Sequence, residues 1–390
     1  MDNLTHSIIG FGVGELVHRS LPAEAEAPQQ RVRHRLLLLA CALASNFPDL
    51  DLFLTQLLPA PLGYLLNHRG HTHTVLWAVP QALLLALLLW LCWPAARALL
   101  RASRPARLGL ALSVGIGLAL HLLMDYTNSY GVHPWYPLDA RWFYGDMVFI
   151  VEPLFWVAIG VPMALIMRWR SLRVAGLLLL FAALLGFAAR GYLGWPSFAA
   201  LLLIAAACGA AQWRAGERGR GGLLLGLGVS VAFIALQGAA SQAGRAQLTA
   251  VFETLDPHSH VLDIAMTAFP SQPLCWSYAS IESDGVRYRV RRGVTSLADI
   301  ACPAALNVPA ATVTGSLKEL QALQASNCVA NAWLRFGRIP LLADGTLSDY
   351  RFATTPRGNF TTLPIAPPTA CPRDIPAWAY PRSDMLVNPP

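Results

Sequence analysis

Residues 68–93 read HRGHTHTVLWAVPQALLLALLLWLCW, with three histidines placed directly ahead of a long apolar run. A helix needs roughly 20 mostly apolar residues to cross a hydrocarbon core of about 30 Å. The run Val75–Trp93 meets this requirement, so the sequence predicts a transmembrane helix that begins beside a group of imidazoles. Because imidazole is a common metal ligand, the junction indicates a metal site at a membrane surface.

The composition of the whole chain is that of a membrane protein. Of its 390 residues, 55% are hydrophobic and 13% are charged, which is too apolar for a soluble protein of this size. The six apolar runs are Val75–Trp93, Leu108–Met124, Met147–Met167, Val174–Ala189, Phe198–Trp213 and Leu223–Ala240, and the two shorter segments are Leu4–His18 and Leu36–Leu54. We therefore predict a mainly α-helical, polytopic membrane protein with about eight transmembrane helices.

The arginines of the short loops indicate how the helices are oriented, because Lys and Arg in short loops are retained on the cytoplasmic side. The loops after the first, third, fifth and seventh segments are basic. They carry Arg19, Arg31, Arg33, Arg35, Arg97, Arg101, Arg104, Arg107, Arg168, Arg170, Arg173, Arg214, Arg218 and Arg220, and the other loops carry Arg69, Arg141 and Arg190. With eight crossings, both termini are expected outside the cytoplasm. No basic segment precedes the first apolar stretch, so we expect the first helix to be retained.

Three regions are predicted along the chain. They are a membrane-embedded region with the candidate ligands (1–167), further transmembrane helices (168–242) and an extracytoplasmic C-terminal domain (243–390). In the last region, alternating residues flank Asp284-Gly285, a pattern typical of a β-hairpin. We therefore expect a small β-containing domain, with extended Pro-rich stretches at Leu363–Pro372 and after Pro376.

The cysteines agree with this division of the chain. Three of them lie in apolar helices, where a free Cys behaves as a small hydrophobe; these are Cys41, Cys92 and Cys208. The other four fall in the C-terminal region and are Cys275, Cys302, Cys328 and Cys371. An extracytoplasmic compartment permits disulfides, and four cysteines allow three pairings among which the sequence does not choose.

The candidate metal ligands lie at the ends of apolar segments, all on the side predicted to be extracytoplasmic. His121 and Asp125 are four residues apart in a helix, so both project from one face. Asp49 and Asp51 follow Pro48 and are placed to flank or bridge an ion. The predicted ligands are His6, Asp49, Asp51, His68, His71, His73, His121 and Asp125. We expect one or two divalent ions, zinc first and manganese as the alternative.

Each of these motifs also has a purely structural interpretation. His121 and Asp125 would then be an interfacial histidine and a helix cap, and the Asp49–Asp51 turn would only end a helix at the water boundary. Asp2 would favour the dipole of the first helix. The occurrence of all the clusters on one side favours the metal site. Histidines predicted to be unrelated to it are His18, His34, His258 and His260.

Three further residues are predicted to act beside the metal. Arg69 would neutralise the charge of a phosphate. Glu152 or Asp146 would orient a ligand or act as a general base. Glu152 is expected about one turn into an apolar helix, where an unpaired carboxylate would shift its pKa upward or need a cation. The aromatic residues of loop 126–146 are equally consistent with an interfacial belt and with a substrate wall.

Five motifs follow one another in residues 1–160. They are Met1-Asp2 with Thr5-His6, Phe47-Pro48-Asp49-Leu50-Asp51, His68-Arg69-Gly70 with Thr72-His73-Thr74, His121 and Asp125 with Asn128-Ser129-Tyr130-Gly131, and Trp142–Asp146 with Glu152-Pro153. This order resembles the YdjM/YbcI-like membrane-bound metal-dependent hydrolases. The resemblance implies a polytopic protein of the bacterial inner membrane. The His/Asp pattern is also similar to that of the all-helical zinc phospholipase C group, which implies phosphoester hydrolysis. Glu152 departs from the aspartate that relatives often carry and keeps the carboxylate.

Two classes of function follow from these observations. The leading hypothesis is a hydrolase that acts at the extracytoplasmic membrane face on a phosphoester of a lipid or a lipid-linked molecule. The alternative is a non-catalytic membrane protein, either a transporter or a metal-binding or assembly factor. Ligands at helix ends on one face, rather than in the middle of broken helices, favour chemistry at the surface over transport. We expect a lipid partner, allow for a protein partner at the C-terminal domain, and expect no nucleic acid.

Overall fold

The computed structural model describes residues 1–352, 358–367, 371–373 and 375–386. Its helices are α1 (Asn3–Ser20), α2 (Ala27–Ala44), α3 (Asp51–Thr55), α4 (Leu62–Asn67), α5 (Val75–Cys92), α6 (Pro94–Ala102), α7 (Arg104–Tyr126), α8 (Pro153–Leu165), α9 (Arg170–Ala189), α10 (Trp195–Ala215), α11 (Gly221–Leu255), α12 (Leu317–Ser326) and α13 (Cys328–Leu334). Its strands are β1 (His260–Phe269), β2 (Gln272–Ser283), β3 (Arg287–Ser296), β4 (Ala311–Ser316), β5 (Pro340–Ala343), β6 (Thr346–Asp349) and β7 (Leu363–Pro364). A helical bundle therefore precedes a smaller C-terminal region that contains all of these strands.

The helical membrane fold is confirmed, but the count of eight crossings is not. Five helices of the described chain are long and apolar enough to cross a membrane, namely α5, α7, α9, α10 and α11. A sixth crossing results if α2 and the segment Pro48–Thr55, bent by 56° from it, are one span. Helix α1 carries Glu15, His18 and Arg19 and does not meet the same test, and α8 has only 13 residues.

Helix α8 is short because its start is fixed at Pro153. Proline suits the first position of a helix, where no N–H is needed. The side chain of Glu152 caps the helix by accepting a hydrogen bond from the Leu154 N–H at 3.0 Å. The preceding residues, although apolar, therefore form a loop. Glu152 lies just before the helix and not one turn inside it, which corrects the sequence-based expectation.

Small residues bring α1, α2 and α7 into close contact. A Cβ atom on Gly10 would lie 2.7 Å from the Ala42 Cα, and one on Gly117 would lie 2.7 Å from the Ala44 Cβ. Small residues let the backbones of membrane helices approach and gain van der Waals contacts along their length. The N-terminal end of α1 thereby lies beside the C-terminal ends of α2 and α7, where the predicted ligands are.

Basic loops meet at the other end of α1. Arg19 Nη1 donates a hydrogen bond to the Gly219 carbonyl at 2.5 Å, and Arg220 Nη1 donates to Ser20 Oγ at 3.0 Å. The C-terminal end of α1 thus contacts the loop between α10 and α11. This agrees with the predicted grouping of these two basic loops on one side, and the compartment that they face stays a prediction.

The C-terminal region contains a four-stranded antiparallel sheet in the order β1-β2-β3-β4. The predicted hairpin is present in it: β2 and β3 pair with Ile281 opposite Val290 and Ser283 opposite Tyr288. Gly285 in its turn has a φ of 84°, a conformation that glycine adopts without steric cost. A second antiparallel sheet has the order β5-β6-β7. The β-containing C-terminal region is therefore confirmed.

Two disulfides cross-link this region. They join Cys275 to Cys302 and Cys328 to Cys371, which decides among the three pairings that the sequence left open. Cross-links of this separation, 27 and 43 residues, each remove chain entropy from the unfolded state equivalent to about 3–4 kcal/mol. The remaining cysteines are free and lie in α2, α5 and α10 as expected.

The predicted extended stretches at the C-terminal end are only partly described. Leu363–Pro364 form β7, and residues 375–380 adopt no helix or strand. Residues 368–370 and 387–390, which also belong to these stretches, lie outside the described residues.

Candidate metal centre

Four predicted ligands from three segments meet inside the protein. Asp49 comes from the turn after α2, His73 from the turn before α5, and His121 and Asp125 from one face of α7. Their ligand atoms lie within 4.8 Å of one another, and all four side chains are buried. His73 Nε2 is 3.4 Å from Asp49 Oδ1 and 3.2 Å from Asp125 Oδ2. His121 Nε2 is 3.5 Å from the same Asp125 oxygen. We call these four residues the first ligand group.

A second ligand group shares one residue with the first. Asp49, Asp51 and His68 also place ligand atoms within 4.8 Å of one another. His68 Nδ1 lies 2.9 Å from Asp51 Oδ1, and Asp51 Oδ2 accepts a hydrogen bond from Thr72 Oγ1 at 2.7 Å. Because Asp49 belongs to both groups, its carboxylate is placed between two candidate ion positions. The predicted choice of one or two ions therefore corresponds to one or both groups being filled.

Hydrogen bonds outside the two groups orient their imidazoles. His121 Nδ1 donates to the Ser45 carbonyl at 2.7 Å, so its Nε2 faces the group without a proton. His73 Nδ1 lies 3.0 Å from Thr72 Oγ1 and 3.4 Å from Asp51 Oδ2, which leaves its Nε2 to the first group. A histidine ligand whose other nitrogen bonds a carbonyl or carboxylate is the common arrangement at metal sites, because it fixes the ring and its tautomer.

The donor atoms of the first group fit a divalent cation better than they fit one another. Asp125 Oδ2 accepts no hydrogen bond from any described residue, although two imidazole nitrogens face it. The Nε2 atoms of His73 and His121 lie only 3.0 Å apart. A buried polar atom without a hydrogen bond costs about 1–3 kcal/mol, whereas carboxylate oxygen and imidazole nitrogen are the usual ligands of zinc and manganese. The group therefore has the chemistry and the convergence of a metal site.

The other oxygen of Asp125 is held by positive groups. Arg69 Nη2 donates to Asp125 Oδ1 at 3.0 Å, and the Met1 amino group donates to the same atom. Arg69 Nη1 donates to Asn128 Oδ1 at 3.0 Å, and its guanidinium lies 4.9 Å from the centre of the Tyr130 ring. The guanidinium that we predicted to bind a phosphate is thus engaged with a candidate ligand. Arg69 holds Asp125 in place, and its action on a phosphate stays a prediction.

His6 adjoins the first ligand group, whereas Asp2 does not contribute to it. The His6 ring stacks on the His121 ring with centroids 4.2 Å apart, and His6 Nε2 is 3.4 Å from Asp125 Oδ1. Neither ring nitrogen of His6 forms a hydrogen bond with a described residue. Asp2 caps α1 by accepting from the Thr5 N–H at 3.0 Å. His6 is therefore available to the site, and Asp2 has the capping role.

His71 points away from both ligand groups. Its ring is partly exposed and lies 5.1 Å from the Trp378 ring and 5.3 Å from the Tyr136 ring, between centroids. The histidines at 68 and 73 flank it in the same turn and face inward. Of the three imidazoles in this motif, two thus lie at the candidate site, and the third packs against the C-terminal region.

Asp146 and Glu152 bind the C-terminal region rather than the ligand groups. Arg338 donates two hydrogen bonds of 2.9 Å to the Asp146 carboxylate, and Arg245 also pairs with it. Glu152 accepts from the Ser271 N–H at 3.0 Å in addition to capping α8. Both carboxylates are buried. Both were predicted to act at the site because of their charge and position. Their partners lie 99 and 192 residues away along the chain for Asp146 and 119 residues away for Glu152.

Thr72 and Asn128 have roles at the site that were not predicted. Thr72 donates to Asp51, and Asn128 accepts from Arg69, as described above. Both residues lie inside the motifs that carry the family resemblance, so the signal was present in the sequence. His18 and His34, which were predicted to be unrelated to the metal site, lie near the basic loops. There His34 Nε2 is 2.6 Å from Glu15 Oε2.

Trp378 of the C-terminal region covers the loop beside the site. Its Nε1–H donates to the Leu66 carbonyl at 2.8 Å, and its ring stacks on His133 with centroids 4.0 Å apart. The centroid of the Trp142 ring lies 3.7 Å from the centroid of the His133 ring. His133 is fully buried among these rings, and burial lowers its pKa to about 3. The imidazole is therefore neutral while this contact is intact.

Acid pH should weaken this contact, because a released His133 regains a pKa near 6.5. Between pH 6.5 and pH 3 the released state binds the extra proton, so the docked state loses up to about 1.4 kcal/mol for each unit of falling pH. Exchange of the Ala379 amide hydrogen, which donates to the Ala140 carbonyl, should accelerate roughly fiftyfold from pH 6.5 to pH 4.5 after correction for the intrinsic rate. In His133→Phe this acceleration should be absent, and an equal acceleration in both proteins would contradict the assignment.

Comparison with known proteins agrees with the geometry. The family model of the YdjM inner membrane protein matches residues 1–195, half of the 390-residue chain, and this stretch holds both ligand groups. The chain belongs to the YdjM family. The uncharacterized protein YfhP of Bacillus subtilis (strain 168) is 26% identical over 163 residues, which cover 40% of this chain and 44% of YfhP. No solved structure matches. The YdjM resemblance predicted from five motifs is thus confirmed, and the protein is a membrane protein.

Proposed function

We propose that this YdjM-family protein is a metal-dependent hydrolase that cleaves a phosphoester of a lipid or a lipid-linked molecule. The observation that carries the proposal is the pair of buried ligand groups joined by Asp49. A divalent ion held there would polarise a phosphoryl oxygen and lower the pKa of a bound water. We expect zinc, with manganese as the alternative, because both accept mixed imidazole and carboxylate ligands.

The surrounding residues would prepare the groups for this chemistry. Arg69 holds Asp125 in one orientation, and the Ser45 carbonyl holds His121, so neither ligand has to reorganise during the reaction. His6 Nε2 lies 3.4 Å from Asp125 Oδ1, and its ring nitrogens form no hydrogen bond with described residues. We assign to His6 the role of accepting the proton of the attacking water. We assign this role to His6 rather than to Asp146 or Glu152, because the carboxylates of those two residues are bound to the C-terminal region.

A groove between α5 and α7 supports a lipid substrate. It has a volume of about 660 Å³ and is lined by apolar side chains that include Val75, Leu118 and Trp135. Val75 follows His73 by two residues, so the groove is built on the helices that hold the first ligand group. A single apolar chain of a lipid fits such a surface. Its polar end would then lie at the end of the bundle where the ligand groups are.

We place the site on the extracytoplasmic face. The ligand groups lie at the opposite end of α1 from the contacts between the basic loops, and basic loops are retained in the cytoplasm. Helices α1 and α8 would complete eight crossings, since both pack inside the bundle against α7 or α11. Both termini and the C-terminal region would then be extracytoplasmic, which agrees with the two disulfides.

Release of phosphate from lipids in mixed micelles tests the proposed activity. Protein loaded with zinc or manganese should release inorganic phosphate from at least one of phosphatidic acid, phosphatidylglycerophosphate and a polyprenyl phosphate. A chelator should stop the release, and added metal should restore it. Asp51→Asn should lower the rate at least roughly a hundredfold, because Asp51 belongs to the second ligand group.

Asp139→Asn is the matched control for this experiment. Asp139 forms an exposed ion pair with Arg141 in the same part of the protein, so its loss should leave the rate unchanged. No release from any of the three lipids by metal-loaded, monodisperse protein would contradict the hydrolase proposal. Equal rates in the two variants would contradict the assigned site.

The burial of the ligands favours a second candidate function. His73, His121 and Asp125 are 0% exposed, and the C-terminal region covers the neighbouring loop. A protein that stores an ion or uses it for assembly needs no space for a lipid headgroup beside it. Stoichiometric metal together with no turnover of the three lipids would favour this metal-binding or assembly role.

A further inference from the structure

A second groove runs between α5 and α7 toward the end that carries the basic loops. Its volume is about 740 Å³, and Ala86, Leu87 and Ala111 are among its apolar lining residues. It shares the lining residues Ala82 and Gly115 with the first groove, so the two grooves adjoin along the outside of the bundle. We call this second part the basic-end groove. Both helices are long and apolar enough to span a membrane, and the bilayer is thus the environment of the groove.

Three arginines surround the mouth of the basic-end groove. Arg101 and Arg107 line it directly, and Arg97 and Arg101 lie over the ring of Trp90, another lining residue, at 5.4 and 5.6 Å from its centre. Arg107 uses its Nη1 to donate to the Leu100 carbonyl at 2.8 Å. A groove that is apolar along its length and positive at one end has the charge distribution of a site for an amphiphilic anion.

These arginines lack acidic partners in the described part of the chain. Each ion pair there that involves an arginine near the basic loops uses a different residue: Glu15 pairs with Arg19, and Glu24 pairs with Arg33. The charges at the mouth of the groove are therefore not neutralised by carboxylates of the described protein. Guanidinium groups bind phosphate through paired hydrogen bonds, which makes a phosphate the anion that suits them.

Helix α6 holds the arginines at this position. It joins α5 to α7 and buries Ala96, Leu99 and Leu100 against the bundle, while Arg101 is exposed and Arg97 is partly exposed on its other face. Short amphipathic helices of this kind lie at the membrane surface, at the level of lipid headgroups. The arginines are thus placed at headgroup depth and the groove below them at acyl-chain depth.

We propose that the basic-end groove binds an anionic glycerophospholipid, with its phosphate at Arg97, Arg101 and Arg107 and one acyl chain between α5 and α7. No ligand of either metal group takes part in it. The site is therefore independent of the proposed hydrolase activity, and it lies at the end of the bundle opposite the candidate metal centre.

Native mass spectrometry of purified protein with added lipid tests this site. Dioleoyl phosphatidylglycerol should bind at least roughly tenfold more tightly than dioleoyl phosphatidylcholine, which has the same acyl chains and no net charge. This comparison uses only wild-type protein. Equal affinity for the two lipids would overturn the proposal.

Two variant pairs separate a built site from general attraction to basic loops. Arg97→Gln/Arg101→Gln should weaken phosphatidylglycerol binding roughly tenfold. Arg168→Gln/Arg170→Gln should leave it unchanged, because these exposed arginines lie at the start of α9 and do not line the groove. Ala111→Phe, which fills the groove, should weaken binding by a similar factor. Its control, Ala175→Phe, places the same ring on an exposed face of α9 and should have no effect.

The remaining outcomes also decide the question. Equal weakening in both arginine pairs would show non-specific electrostatics and overturn the site. Unchanged binding in Ala111→Phe would show that no acyl chain enters the groove, which also overturns it. Because the variants at Arg97, Arg101 and Ala111 retain every metal ligand, loss of lipid binding in them with normal metal content and phosphate release would leave the proposed function untouched.

Discussion

Asp49→Ala should abolish stoichiometric metal binding, whereas His121→Ala and His68→Ala should each remove one of two equivalents. The reason is that Asp49 belongs to both ligand groups, while His121 belongs only to the first and His68 only to the second. Loss of a direct ligand should lower affinity by more than the ten- to hundredfold that is typical for residues behind a ligand. The metal content of the three variants is measured by elemental analysis of monodisperse, detergent-purified protein after dialysis against buffered zinc.

His34→Gln is the control for this series. His34 lies near the basic loops and pairs with Glu15, so this variant should keep both equivalents. One equivalent in wild-type protein, lost equally in all three ligand variants, would show that a single ion spans both groups. Well-folded wild-type protein that binds no zinc or manganese at all would contradict the metal centre itself.

The ligands could be predicted from sequence because their signal is local. His121 and Asp125 share a helix face at a spacing of four residues, and His68 and His73 lie in one short turn beside an apolar helix. Ionisable groups at membrane depth are costly when they are isolated, so their presence there indicates a function. That argument needs no knowledge of the fold, and the structure brings each of these four residues into a ligand group.

The roles of Asp146 and Glu152 could not be predicted in the same way. Their partners, Arg338 and Ser271, lie in the C-terminal region, far away along the chain. Nothing local in the sequence distinguishes a carboxylate that awaits a cation from one that anchors a distant domain. Arg69 shows the same limit, since its bond to Asp125 depends on how α7 packs against the turn before α5.

The number of membrane crossings also cannot be established from apolar runs alone. The run 147–167 is continuous in hydropathy, but a cap at Glu152 and proline at 153 start the helix late. Conversely, α11 continues to Leu255, well beyond the apolar run that predicted it. Helix length is fixed by caps and by tertiary contacts as well as by hydropathy, so the membrane class was predictable and the count was not.

Asp146→Asn should weaken the contact between the C-terminal region and the helical bundle. Arg338 is only 3% exposed and would lose the carboxylate that accepts two of its hydrogen bonds. Breaking a buried ion pair from one side typically costs about 3–5 kcal/mol. Asp263, which also pairs with Arg338, should keep the loss near the lower value. Hydrogen exchange at the Ala379 amide should then accelerate roughly a hundredfold.

Two comparisons separate loss of this buried pair from a general effect of the substitution. Asp139→Asn breaks an ion pair of the same loop in which Arg141 is 73% exposed, and solvent screens such a pair, so exchange should change little. Asp146→Asn/Arg338→Gln should be less disruptive than the sum of its single changes, because neither side is then left as a buried charge. If the destabilisation measured by exchange in the double variant instead equals the sum of the two single effects, the two residues act independently. In that case the C-terminal region is held by other contacts, such as that of Trp378 with Leu66.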